Sequence, residues 1–148
     1  MIKSSDIASA LVTQLRAIPA LVTALGANAA NIYAKDEYES LMDAQWGQPD
    51  GTLMVVYQYT IPGAVGSLEV YQHTFSLFLQ YQADPSAILA LVLDGIPTGS
   101  GNRMCELSLV AGLLPFGTAS IFRRQFPISD KQSKDFWEIQ ISFPDRGI

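Results

Sequence analysis

The chain has 148 residues, enough for one core of ordinary size; apolar residues make up 49% and charged residues only 16%, against the roughly 25% usual in soluble domains. That balance excludes intrinsic disorder, and one cysteine (Cys105) with one histidine (His73) excludes an internal disulfide framework and cysteine-based zinc sites. A net charge of −5 argues against a sequence-reading nucleic-acid protein, which carries a basic face.

From Ser5 to Gly26 the spacing predicts helix. Ile7, Leu11 and Leu15 recur every fourth residue, and Val12 and Ile18 widen the stripe. Ser4 or Ser5 is placed to cap the start, Asp6 meets the positive end of the helix dipole, Pro19 interrupts the run and Gly26 ends it. Asn31 to Ala34 reads as a short strand. The acidic stretch Lys35 to Asp43 is a loop or a brief helix, and Trp46 to Gly51 a turn.

Leu53, Val55, Tyr57, Tyr59 and Ile61 then alternate along one side of a strand. Past Pro62 to Gly66, a second run puts Tyr71, His73, Phe75, Leu77, Leu79 and Tyr81 on one face. Gln72, Thr74, Ser76, Gln80 and Gln82 fall on the other, with Phe78 as the exception. The pattern predicts a long antiparallel hairpin, 52–82, with one core face and one polar face. At ~3.3 Å per residue its second strand reaches ~45 Å, more than a small core covers, so the tip is expected to project.

Asp84-Pro85 marks a helix start, an N-cap acid with proline at the first helical position, and Gly95 an end. Residues 86–94 between them have almost no polar face. A helix apolar all round needs cover on more than one side, and a two-layer monomer supplies one. The remainder is expected to come from another subunit. Residues 95–103 read as a loop and 104–118 as strand pieces. Strands from Ser120 to Pro127 and from Phe136 to Phe143 close the chain around a polar turn, 129–135. In the last strand Trp137, Ile139, Ile141 and Phe143 take the core side. The expected architecture is a single α+β domain over residues 1–148: a mainly antiparallel sheet with a long hairpin and helices on one face.

Mean hydropathy is +0.20, yet the most apolar window, Met104 to Phe122, holds Glu106, two glycines and Pro115, and so does not suit a bilayer helix. The N-terminus has no unbroken apolar run, so the chain is expected to act where it is made, in a reducing cytoplasm.

The chemistry-bearing residues each carry a plainer explanation. His73, on an apolar face between Tyr71 and Phe75, reads as a packed histidine bonded to a neighbour. As a base it would need a carboxylate or nucleophile brought by the fold, and Glu69 lies roughly 13 Å away along the strand. Cys105 lacks an activating base and reads as a small buried hydrophobe. Gly95 to Asn102 lacks the lysine and following helix of a phosphate loop. Asp36, Glu37, Glu39 and Asp43 lack calcium-loop spacing and read as acidic surface. Neither cofactor nor metal is expected. Arg123 and Arg124, adjacent on a strand, point to opposite faces. The chain carries three basic and nine acidic residues to Gly95, then six basic and five acidic. That asymmetry suits head-to-tail contacts.

This order of elements, with an NIYAKDEY strand and loop, the hairpin from Thr52 to Gln82, the DPSAILALVLDG helix and a closing hairpin, resembles the tail terminator and tail-completion proteins of long-tailed bacteriophages. More broadly it resembles the neck proteins that join head to tail. The resemblance implies a virion protein, made in the host cytoplasm, that is not an enzyme. It implies a ring, usually a hexamer, that caps the tail tube and meets the tube protein below and a head-completion protein above. DNA then passes through the lumen unread, with no membrane involved. Ile61, Val65, Leu68, Ile88, Leu89, Leu91, Val92, Arg123 and Arg124 are the candidate subunit interface. Asp36, Glu37, Glu39 and Asp43 are the candidate acidic lining of the channel. A tail-tube or head-completion role fits the same resemblance. From a different class, a small-molecule site around His73, Tyr71 and Tyr81 is the competing expectation.

Overall fold

A computed structural model describes residues 1–35, 50–95, 110, 119–129 and 132–146. Helix α1 (Ser4–Arg16) and helix α2 (Pro19–Ala24) are followed by a short 3-10 turn and strand β1 (Ile32–Lys35). The long strands β2 (Thr52–Val65) and β3 (Leu68–Gln80), helix α3 (Ser86–Gly95), and strands β4 (Ala119–Ser129) and β5 (Gln132–Asp145) complete it. The sheet order is β1-β2-β3-β5-β4, antiparallel throughout except that β1 runs parallel to β2. The fold is α+β, as the patterning predicts.

Helix α1 buries Ile7, Ala8, Leu11, Val12 and Leu15, the face set by four-residue spacing. Neither Ser4 nor Ser5 caps it. The helix begins at Ser4, which leaves Lys3 at the N-cap position with no side-chain bond. Pro19 opens α2, where its missing N–H costs nothing. The Arg16 Nε–H donates to the Ile32 carbonyl at 2.8 Å, tying the end of α1 to the start of β1. These helices cover one face of the sheet, packing on Leu53, Val55, Phe75, Leu77, Leu79, Ile139, Ile141 and Phe143.

The second sheet face is buried too, contrary to the polar face that alternation predicts for β3. Thr74, Ser76 and Gln80 are buried beside a second apolar cluster of Met54, Val56, Phe78 and Phe136. Two of these hydroxyls find partners across the ladder: Thr74 shares a hydrogen bond with Ser142 and Ser76 donates to Glu138. A central strand is flanked on both sides, so its polar side chains are satisfied within the sheet rather than by water.

Strand β2 departs from simple alternation. Its pairing with β3 runs from Thr52↔Gln80 to Tyr57↔Phe75, then resumes one residue later at Tyr59↔Thr74. Gln58 is the extra residue of a β-bulge. The bulge reverses the facing of everything after it. Thr60, not Tyr59, joins His73 on the helix-covered face, and Tyr59 and Ile61 turn to the opposite side, where both are exposed. The distal part of the hairpin, residues 59–74, forms a ribbon that pairs with β5 as far as Tyr71↔Asp145 and is two-stranded beyond it.

Helix α3 starts at Ser86, as predicted, with Pro85 just outside it rather than at the first helical position. The Pro85 carbonyl accepts the first helical bond, from Leu89, while the Asp84 carboxylate accepts from both the Ser86 amide and its hydroxyl. Ile88, Leu89 and Val92 are buried in the chain's own core, which corrects their assignment to a subunit interface. The reason is that α3 lies against α1 and α2 as well as the sheet cluster, so its apolar face is covered within one chain. What faces outward is small or partly covered: Ala87 and Ala90 exposed, Leu91 and Leu93 half-buried. In the closing hairpin, pairing persists to Ser129↔Gln132, so the connection is much shorter than the predicted turn.

Candidate functional site

The root of the ribbon holds a buried polar chain built from four segments. The bulge turns Thr60 toward β3, where its hydroxyl meets His73 Nδ1 at 2.8 Å. Tyr57 lies on the same face and places its hydroxyl 2.7 Å from Thr60 Oγ1. On the other side of the ring, His73 Nε2 is 2.9 Å from Asp145 Oδ2. The same carboxylate oxygen accepts the Ile2 backbone N–H at 2.7 Å, which joins the chain's second residue to its 145th.

Donor directions follow from valence. An ionised carboxylate only accepts, so in the neutral imidazole the Nε2–H donates to Asp145 and Nδ1 is left as an acceptor. Thr60 then donates to Nδ1, and Tyr57 donates to Thr60. Both His73 and Asp145 are almost wholly removed from water. Each residue of the chain thereby has a hydrogen-bond partner. Tyr57 also packs edge-on to Phe75, which packs edge-on to Phe143, so the polar chain rests on an aromatic stack. A cavity of about 440 Å³ opens beside it, lined by the first five residues, Tyr57, Thr60 and His73.

The order hydroxyl, imidazole, carboxylate is that of a nucleophile, base and orienting acid. Here the hydroxyl also accepts from Tyr57, and the ring that would exchange protons with a leaving group is itself buried. The arrangement ties β2, β3, β5 and the N-terminal segment together. Among the described residues no group of three or more histidine, cysteine, aspartate or glutamate side chains is placed to hold a metal ion, and no helix is long and apolar enough to cross a membrane.

The sequence-predicted residues distribute as follows. His73 is bonded to neighbours, as expected, though by a carboxylate and a hydroxyl that the sequence does not single out. Tyr71 lies two residues from His73 on the same strand face, registered opposite Asp145, and is exposed; Tyr81 lies beyond the end of β3, roughly 26 Å from His73 along the strand direction, and is half-buried. Ile61 and Leu68 are exposed on the ribbon and Arg123 on β4. The register pairs Arg123 with Trp137 and Arg124 with Phe136. The side chains of Val65 and Arg124 lie outside the described set, as do Asp36, Glu37, Glu39, Asp43 and Cys105. Asp145 was detectable: it continues the alternation of Trp137, Ile139, Ile141 and Phe143 by one further step. Pro144 hides this by suggesting that the strand has ended. Among the described residues β4 pairs with β5 as far as Ile141, and Pro144 is registered opposite Gln72 of β3. The sequence matches no protein-family model, and no curated protein matches it.

Proposed function

We propose that this chain is a structural virion protein that assembles into a ring at the head-proximal end of a long bacteriophage tail. The ring ends the tail tube and joins it to the head, and DNA crosses its lumen as unread cargo. One observation carries the self-assembly. Among the described residues, seven large apolar side chains are exposed; four of them, Tyr59, Ile61, Leu68 and Tyr71, stand on the ribbon, and two, Ile121 and Phe122, stand on β4. Tyr59, Ile61 and Leu68 share one face of the ribbon and Tyr71 stands on the other. Ile121 and Phe122, adjacent on the outer strand β4, face opposite ways, so ribbon and β4 present their apolar side chains on different parts of the surface. A contact between unlike patches is heterologous, and repeated around an axis it closes a ring. Exposed apolar clusters of this kind mark association sites in soluble proteins. The phage assignment itself rests on the order of elements along the chain.

Electron microscopy of the purified protein, with sedimentation at increasing concentration, tests this. Rings of fixed subunit number are the expected result. A species that stays monomeric at every concentration and on isolated tail tubes overturns the proposal, and long tubes assign the chain to the tube subunit instead. The cavity beside His73 favours a second, different function, a small-molecule site. Ligand-induced chemical-shift changes confined to Tyr57, Thr60 and the first five residues, with no assembly, would select it.

A further inference from the structure

We propose that the β2–β3 hairpin has two available registers, and that the Thr60–His73–Asp145 network holds it in the bulged one. Up to Tyr57↔Phe75 the ladder is regular. If alternation simply continued, Tyr59 would oppose His73, Ile61 would oppose Tyr71, and Ala64 would oppose Leu68 across a three-residue loop. With Gln58 looped out, Thr60 opposes His73, Ile61 opposes Gln72, and the ladder closes at Val65↔Leu68 across Gly66 and Ser67. Two- and three-residue hairpin loops are both common; Gly66, with φ +61° and open space about its α-carbon, suits the first position of the two-residue loop, and the three-residue loop would put Ser67 in the left-handed region. The turn therefore fits the bulged register and admits the regular one at a modest steric cost.

The buried network discriminates between them. In the regular register Thr60 points to the opposite face, its bonds to Tyr57 and His73 are lost, and the buried Nδ1 faces the Tyr59 ring without a donor. In the bulged register every member is paired. Thr60, His73 and Asp145 are thus positioning residues for a bistable element. Register also decides the ribbon's surface, because a one-residue slip moves each side chain to the other face. Bulged, Tyr59, Ile61 and Leu68 share one face. Slipped, Tyr59 and Ile61 leave Leu68 alone. The consequence for assembly rests on the ring proposal above; the register does not.

Cross-strand nuclear Overhauser contacts in isotopically labelled protein test the register. Wild type and Thr60→Ser, which keeps the hydroxyl, should show Ile61–Gln72 contacts only. Thr60→Val, and separately His73→Phe, should add a second set of signals with Ile61–Tyr71 contacts, together with at least tenfold weaker self-association by sedimentation. Either variant suffices if the other fails to fold. If every folded variant retains Ile61–Gln72 contacts alone, the inference is wrong. If the register shifts but wild type never associates, the inference stands and the ring proposal fails.

Discussion

His73 on β3 and Asp145 on β5 meet at 2.9 Å with both side chains 2% exposed, although they stand two register positions apart on the ladder. His73 is registered opposite Phe143, and Asp145 opposite Tyr71. The bond is therefore diagonal across the ladder, at the position where the five-stranded sheet narrows to the ribbon. Diagonal neighbours on one sheet face lie within reach of long side chains. Asp145 also accepts from Ile2, so this single carboxylate joins the start of the chain, the central strand and the last strand.

Removing that carboxylate should be among the costliest single changes in the protein. Asp145→Ala strands the His73 Nε2–H and the Ile2 N–H without an acceptor, and each buried donor left unsatisfied costs about 1–3 kcal/mol. Asp145→Asn keeps an acceptor oxygen and should cost about 1–2 kcal/mol, the difference for a neutral in place of a charged hydrogen bond. Equilibrium urea denaturation of the two variants at pH 7 checks both the sign and the order.

Phe75 is fully buried at the centre of the helix-covered face and meets Tyr57 edge-on at 5.6 Å and Phe143 at 6.1 Å between ring centroids. Phe75→Ala should destabilise the fold by about 3–5 kcal/mol through lost transfer energy and the cavity left behind. Leu91→Ala on the half-buried side of α3 should cost distinctly less. The comparison in the same denaturation assay measures how completely α3 is covered by its own chain.

The ribbon should separate stability from assembly. Ile61 is 48% and Leu68 41% exposed, so Ile61→Lys and Leu68→Lys should each leave unfolding free energy within about 0.5 kcal/mol of wild type. Each should nonetheless reduce ring formation at least tenfold in sedimentation velocity runs. Unchanged assembly in the double variant would remove the ribbon from the interface.

Asp84 supplies a pH dependence with a definite sign. Its carboxylate accepts from the Ser86 hydroxyl and the Ser86 amide, and both bonds hold its pKa below the ordinary carboxylate value. A pKa depressed in the folded state contributes stability above the unfolded pKa and loses it as pH falls through the folded one. Asp84→Ala should therefore lower Tm at neutral pH, and the gap to wild type should close as pH drops below the carboxylate range. A gap that persists at acid pH would show that the aspartate acts through backbone conformation rather than charge.

Much of this protein is legible along the chain because its signals are local. The four-residue stripe of α1, the proline that opens α2, the Asp84 start of α3 and the alternating strands all follow from periodicity and capping, and they suffice for the α+β class. Tertiary structure decided the rest, for one physical reason: those features depend on what lies across the sheet. Strict alternation places Tyr59 and Ile61 in the core. Only the pairing of Thr60 with His73 shows the bulge that turns them outward. The apolar run of α3 suggests a missing subunit, whereas α1, α2 and the core cluster already cover Ile88, Leu89 and Val92. The shortage of charge noted at the outset is thus divided by the fold. Part of the apolar surplus fills a second buried sheet face, and part stands exposed on the ribbon and β4. Burial is a property of neighbours in space, and residues 2, 60, 73 and 145 become neighbours only when the sheet closes around them.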